Sequence, residues 1–259
     1  MGTLVMAEGG KFVPPGADSF VLPPIVGGIT KPMVLVALAA VLVAVYFVVA
    51  TRSLKVVPSK GQFVAEYIYS FSRNTIARQQ IGAKDFRPFV PLIFALFTFV
   101  LVNNIFGIVP FLQFPTMARI GFPVALLIVV YVTYHGVGIK RHGLGGYFKH
   151  VMFPPGVPKP IYLILSPIEF LQKFIAQPAA LAVRVFAAMF AGHLMLLVFI
   201  LGGEFLLLEA SGGFKPVSIF AFAFAIALTF VEALIQVLQA YIFALLTANF
   251  IGAALAEGH

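Results

Sequence analysis

Residues 33–50 are eighteen consecutive apolar residues, a run that covers about 27 Å as a helix against roughly 30 Å of bilayer hydrocarbon. It starts too late and runs too long for the core of an ordinary signal peptide, so it reads as a membrane span over about 33–51. Four further apolar segments follow at 88–110, 122–139, 161–201 and 216–256. With 61% hydrophobic and only 10% charged residues, the chain lies outside the composition of water-soluble domains. The expected fold class is an all-α integral membrane protein with about five crossings. Residues 1–32, which hold five prolines and little charge, read as an irregular extension outside the membrane domain 33–259.

The last two segments are longer than a span requires. Each covers 41 residues, about 60 Å if helical, whereas membrane helices tilt only about 20° on average. Pro167 and Pro178 offer breaks in the first, but 216–256 has no internal proline after Pro216. A long, steeply tilted helical hairpin is the expectation for the pair.

Positive charge sets the orientation. Arg52, Lys55, Lys60, Arg73, Arg78, Lys84 and Arg87 fall in one connection, and Lys140, Arg141, Lys149 and Lys159 in another. Loops rich in Lys and Arg stay in the cytoplasm, which places the N-terminus outside and the C-terminus inside. A net charge of +8 is thereby explained by topology, without a basic stripe interleaved with stacking aromatics, and no nucleic-acid partner is expected. Within the first basic loop, Phe63, Val64, Tyr67, Ile68 and Phe71 recur at helical spacing opposite Gln62, Glu66, Ser70, Arg73 and Asn74. That pattern predicts an interfacial amphipathic helix against the lipid bilayer.

The intramembrane polar residues carry the functional information. Arg184 costs about 2.5 to 3.5 kcal/mol at a helix centre on insertion scales, and a guanidinium does not shed its charge by giving up a proton. Gln177, Ala180, Ala187, Ala188 and Ala191 fall within about 60° of it on a helical wheel, so the charge sits on a face of small side chains that another helix can approach closely. Either an internal carboxylate compensates it, or a carboxylate of another subunit does. His193 falls on the opposite side of the same helix. In the last segment Thr229, Glu232, Gln236 and Gln239 share an arc of about 100°, a polar stripe that implies a wet or hydrogen-bonded path. If the two segments pair antiparallel around a turn near 204–215, that stripe meets His193 at similar depth, and a histidine with a carboxylate can relay protons. Glu169 with Lys173 four residues on has the spacing of a surface ion pair. Asn103, Asn104 and His135 read as helix-end or interhelical hydrogen bonders.

These residues resemble the a-subunit family of the F-type ATP synthases. "PIEFLQKFIAQPAALAVRVFAAMFAGHLMLL" and "FVEALIQVLQAYIFALLT" are similar to the family's two hairpin motifs, and "NNIFGIVP" and "VPSKGQFVAEYI" to its earlier ones, in the same order. The family commonly has Asn where this chain has Ala188 and a basic residue where it has Gln177, so the face beside Arg184 is less polar than usual.

The resemblance implies a proton-translocating stator subunit of the membrane sector, with two offset half-channels to a rotating ring. By it, Arg184 faces the ring carboxylate of the c-subunits and Gln239 lies near it. His193 and Glu232 belong to the half-channel open to the outside, with Gln236 on the same stripe, and Glu169 to the one open to the cytoplasm. The implied partners are the c-subunit ring, the peripheral-stalk b-subunits and, indirectly, the nucleotide-handling sector. No catalytic residue, cofactor or metal is expected in this chain. It has no cysteine and no phosphate loop, His-Glu-x-x-His or Gly-x-Ser-x-Gly motif. A bacterial plasma membrane is the expected location. A self-contained proton-coupled transporter would predict internal symmetry, which the sequence lacks, and a purely structural scaffold would not need the Glu232, Gln236, Gln239 stripe.

Overall fold

The computed structural model describes residues 12–110, 112–153, 158–209 and 212–256. It is an all-α membrane protein in which five helical segments are long and apolar enough to cross a bilayer: Lys31–Thr51, Arg87–Ile105, Gly121–Lys149, Tyr162–Leu208 and Lys215–Leu255. Proline sits in the first turn of α1 (Lys31–Thr51), α4 (Val90–Ile105) and α8 (Lys215–Leu255), at Pro32, Pro91 and Pro216. Its fixed φ suits the first turn, where its missing N–H is not needed.

Between α1 and α4, the amphipathic segment forms α2 (Lys60–Ser70), a wide π-type turn (Phe71–Ala77) and α3 (Arg78–Ile81). Ser59 starts it by accepting a bond from the Gln62 backbone N–H at 3.3 Å. Phe63, Val64 and Tyr67 are exposed, while Ile68 and Phe71 pack on the core. Gln62, expected on the outward polar face, is buried instead. Its amide donates to the Lys55 carbonyl and to Glu66 and accepts from the Lys55 N–H, which folds the preceding loop back onto the helix.

Three helix ends fall away from the expected ones. The second segment stops at Ile105, short of residue 110, because the backbone turns through Gly107 toward Pro110. The third, α5 (Gly121–Met152), runs well beyond residue 139 but kinks at Gly143, where φ is 70°, a left-handed conformation that glycine adopts without strain. The kink folds Tyr147 back over Gly138, with its hydroxyl 2.7 Å from His135 Nδ1. The fourth comprises α6 (Tyr162–Leu171), a second π-type turn (Gln172–Ala176) and α7 (Gln177–Leu208), past the expected end at 201. Pro178 cannot donate to the Phe174 carbonyl, and the helix widens there instead of breaking.

Antiparallel pairing of α7 and α8 dominates the packing. Gly203 lies against Ala221 and Phe222, Phe199 against Phe224 with ring centroids 4.6 Å apart, and Gly192 against Glu232. The second half of α8 is buried through Ala240, Ala244 and Ala248. This four-residue spacing of small side chains continues at Gly252, where an added Cβ would collide with the Gln80 carbonyl of α3. Small residues let helix backbones approach closely in the absence of a hydrophobic drive. The first half of α8 behaves differently, leaving Phe220, Phe230 and Leu234 exposed.

A short strap precedes α1. It contains a 3-10 turn (Ala17–Phe20) and the hairpin β1 (Pro24–Val26) and β2 (Ile29–Thr30), joined by Gly27 and Gly28 at φ 52° and 92°. Two successive positive φ values make the tight turn that matches strand twist.

Candidate functional site

The antiparallel register brings His193 of α7 and Glu232 of α8 together, with Nδ1 and Oε1 3.9 Å apart and both side chains buried. Gly192 lies beside the pair, where an added Cβ would rest in ordinary contact with the Glu232 side chain at 3.6 Å. One helical turn further along α8, Gln236 donates from Nε2 to Glu232 Oε1 at 3.3 Å. The Asn104 amide, from the end of α4, donates to the Gln236 carbonyl at 3.2 Å. Gly107 lies so near that a Cβ on it would sit 3.0 Å from Gln236 Nε2. The result is a line of polar side chains, His193, Glu232, Gln236 and Asn104, drawn from three helices.

Several atoms in this line keep bonding capacity. His193 Nδ1, Glu232 Oε2, Gln236 Oε1 and Asn104 Oδ1 are buried and bonded to no other protein atom among the described residues. A separation of 3.9 Å exceeds a hydrogen bond, and an approach of about 1 Å would bring the two atoms within bonding distance. Such a pair can pass a proton without either group leaving its helix.

Arg184 is placed differently. It is exposed on the outer side of α7, together with Val183 and Ala187, nine residues and half a turn away from His193. Among the described residues it has neither an ion pair nor a hydrogen bond. The two carboxylates considered as its partners are engaged elsewhere. Glu232 lies in the buried line, and Glu169 Oε2 is 3.2 Å from Lys173 Nζ, which also donates to the Val151 carbonyl at 3.1 Å.

Of the six predicted site residues, the structure joins His193, Glu232 and Gln236 and leaves the other three apart. Gln239 is half-buried with Oε1 unpartnered among the described residues. Glu169 lies fifteen positions before Arg184 on the same helical run. Thr229 satisfies itself by donating to the Ala225 carbonyl at 2.9 Å and is not part of the line. Asn104 is the interhelical hydrogen bonder that its position near the end of an apolar span suggested, joining α4 to α8. Nothing in the sequence marked Gly107, which matters only through what it leaves room for. Asn103, by contrast, accepts from Thr116 at 2.7 Å and holds the turn after α4.

Residues 33–252 match the family model described as ATP synthase A chain. A Nocardioides protein called ATP synthase subunit a is 45% identical, covering 98% of this chain and 96% of that relative. Proteins of the same name from Pseudarthrobacter chlorophenolicus and Rhodococcus erythropolis are 45% and 39% identical, over 97% and 95% of this chain and 97% and 91% of their own lengths. With this match across most of its length, and with an arginine that has no ion pair among the described residues and a buried His–Glu pair on opposite sides of one helix, the chain belongs to the ATP synthase A chain family.

Proposed function

We propose that the chain is the proton-translocating stator subunit of a bacterial ATP synthase membrane sector, working through two half-channels that meet a rotating ring of c-subunits. The observation that carries this reading is the exposed Arg184, which has no carboxylate partner among the described residues of its own chain. A ring carboxylate has to be neutral to pass through lipid, because an ionised one is costly there. Beside a fixed guanidinium the ionised form becomes tolerable, so the carboxylate releases its proton at that position and no other. The same charge repels a proton trying to cross directly between the half-channels, which ties transfer to rotation.

Proton delivery from outside runs through the line of Glu232, His193 and Gln236, with Asn104 fixing Gln236 from α4. Gln239 stands near the ring-facing arginine, and Glu169 serves the cytoplasmic side. Each charge moved through 100 mV yields about 2.3 kcal/mol, so several transfers accumulate before the nucleotide sector, reached through b-type peripheral-stalk subunits, uses them. In this orientation the N-terminus is outside and the C-terminus in the cytoplasm. The α7–α8 hairpin, about 60 Å long at 1.5 Å per residue, lies steeply oblique to the bilayer.

The test is passive proton flux through the reconstituted membrane sector with the nucleotide sector removed. His193→Ala and Glu232→Gln should each slow flux by roughly a hundredfold, the lower end of what a positioned proton carrier contributes. Unchanged flux in both variants removes the pair from the path.

A further inference from the structure

Phe20 belongs to the N-terminal strap, yet it is only 4% exposed. Its ring lies 4.6 Å from Phe190 of α7 and 6.1 Å from Phe114, and meets the His193 imidazole edge to face with centroids 5.8 Å apart. The strap is tied down on both sides of this contact. Before it, Phe12 packs on Phe205 at 5.6 Å. After it, Leu22 packs on the core, and Arg119 donates to the Thr30 hydroxyl at 3.4 Å. His193 therefore meets a carboxylate in Glu232 and an aromatic cluster that an N-terminal segment completes.

We propose that the strap forms a wall of the outer proton path and that Phe20 is a positioning residue for His193, acting by covering the imidazole. A phenyl ring has no lone pair or acidic proton, so a nitrogen held beside it can exchange protons only elsewhere. Here Nδ1 looks toward Glu232 Oε1, 3.9 Å away. Edge-to-face contact also favours one ring orientation over others, which keeps Nδ1 directed at Glu232. Without the cover, solvent reaches His193 directly and the ordered line through Glu232 is bypassed. The proposal rests on the proton-path reading given above for its purpose, but not for its geometry.

The experiment measures His193 reactivity with diethyl pyrocarbonate, which acylates accessible imidazoles, in the assembled complex in native membranes, by peptide mass spectrometry. In the parent protein His193 should label slowly. Phe20→Ala should raise the rate about tenfold or more, since losing a buried aromatic side chain shifts the covered-to-open balance by at least that factor. Phe20→Leu, which keeps an apolar cover, should restore most of the protection. Phe12→Ala, which loosens the strap at a distance from His193, should stay near the parent rate. An unchanged rate in Phe20→Ala overturns the proposal, and so does an equal rise in Phe12→Ala. Labelling reports the cover whether or not His193 carries protons, while the flux of His193→Ala tests the path itself, so the two can fail separately.

Discussion

Replacing Arg184 by alanine separates stability from function more cleanly than any other substitution in this chain. The side chain is exposed and makes no bond to another described residue, so its loss opens no cavity and strands no buried partner. Substitutions of that kind change stability by no more than about 0.5 kcal/mol. On the proposed function, the interaction that disappears is the one with an arriving ring carboxylate. At about 4 Å and an effective dielectric near 20, two unit charges attract by about 4 kcal/mol. That is nearly a thousandfold in the balance between ionised and neutral acid at about 1.4 kcal/mol per decade. The assay is ATP synthesis driven by an imposed proton gradient in membrane vesicles, with assembly of the complex quantified in the same preparation. The expected result is parent-level assembly with synthesis below about 1% of the parent rate, in keeping with the lost attraction. Coupled synthesis above about a tenth of the parent rate, or a complex that no longer assembles, would refute the argument, the first because the charge is dispensable and the second because it is structural.

Other substitutions probe the geometry around the line. Gly107→Ala places a methyl group 3.0 Å from Gln236 Nε2 and 3.2 Å from the Asn104 carbonyl. It should displace the amide from Glu232 and lower passive proton flux with the fold intact, and parent-level flux would show that Gln236 is not needed there. Gly252→Ala drives a Cβ into the Gln80 carbonyl and should destabilise the chain by about 1 to 3 kcal/mol, the usual cost of overpacking, read as a lower thermal midpoint in detergent. Lys173→Ala removes a pair whose side chains are 36% and 20% exposed. With the bond to the Val151 carbonyl lost as well, it should cost about 1 to 3 kcal/mol, and a loss above about 4 kcal/mol by the same thermal measurement would make Lys173 a structural anchor.

The opposition of Arg184 and His193 was readable from residue numbers, because nine positions on a regular helix are half a turn and no break lies between them. The meeting of His193 with Glu232 was readable too, even though α7 runs seven residues past the expected end. A hairpin's pairing depends on where its turn is centred, and lengthening the first arm moved that centre little. Gln62 could not be placed by periodicity, since its burial comes from bonds to the Lys55 backbone, a local loop closure that leaves no period in the sequence. Gly143 looked like any other glycine in a glycine-rich stretch until the chain reversed direction there. Phe20 was the least legible. Its contacts with Phe114, Phe190 and His193 span most of the chain, and nothing in a proline-rich extension marks one phenylalanine as the one that packs.

The wide turn at Gln172–Ala176 makes the spacing of Glu169 and Arg184 more forgiving than their numbering suggests. A π-type turn is one residue of slack stored in an otherwise regular coil. Deleting a residue there would take up that slack and leave both ends facing nearly as before, at the local cost of pressing the Pro178 ring toward the Phe174 carbonyl. The same deletion between residues 180 and 190 would swing everything beyond it by about 100°, carrying His193 away from Glu232. Length variation in this helix is therefore tolerable on the Glu169 side of Pro178 and ruinous on the Arg184 side.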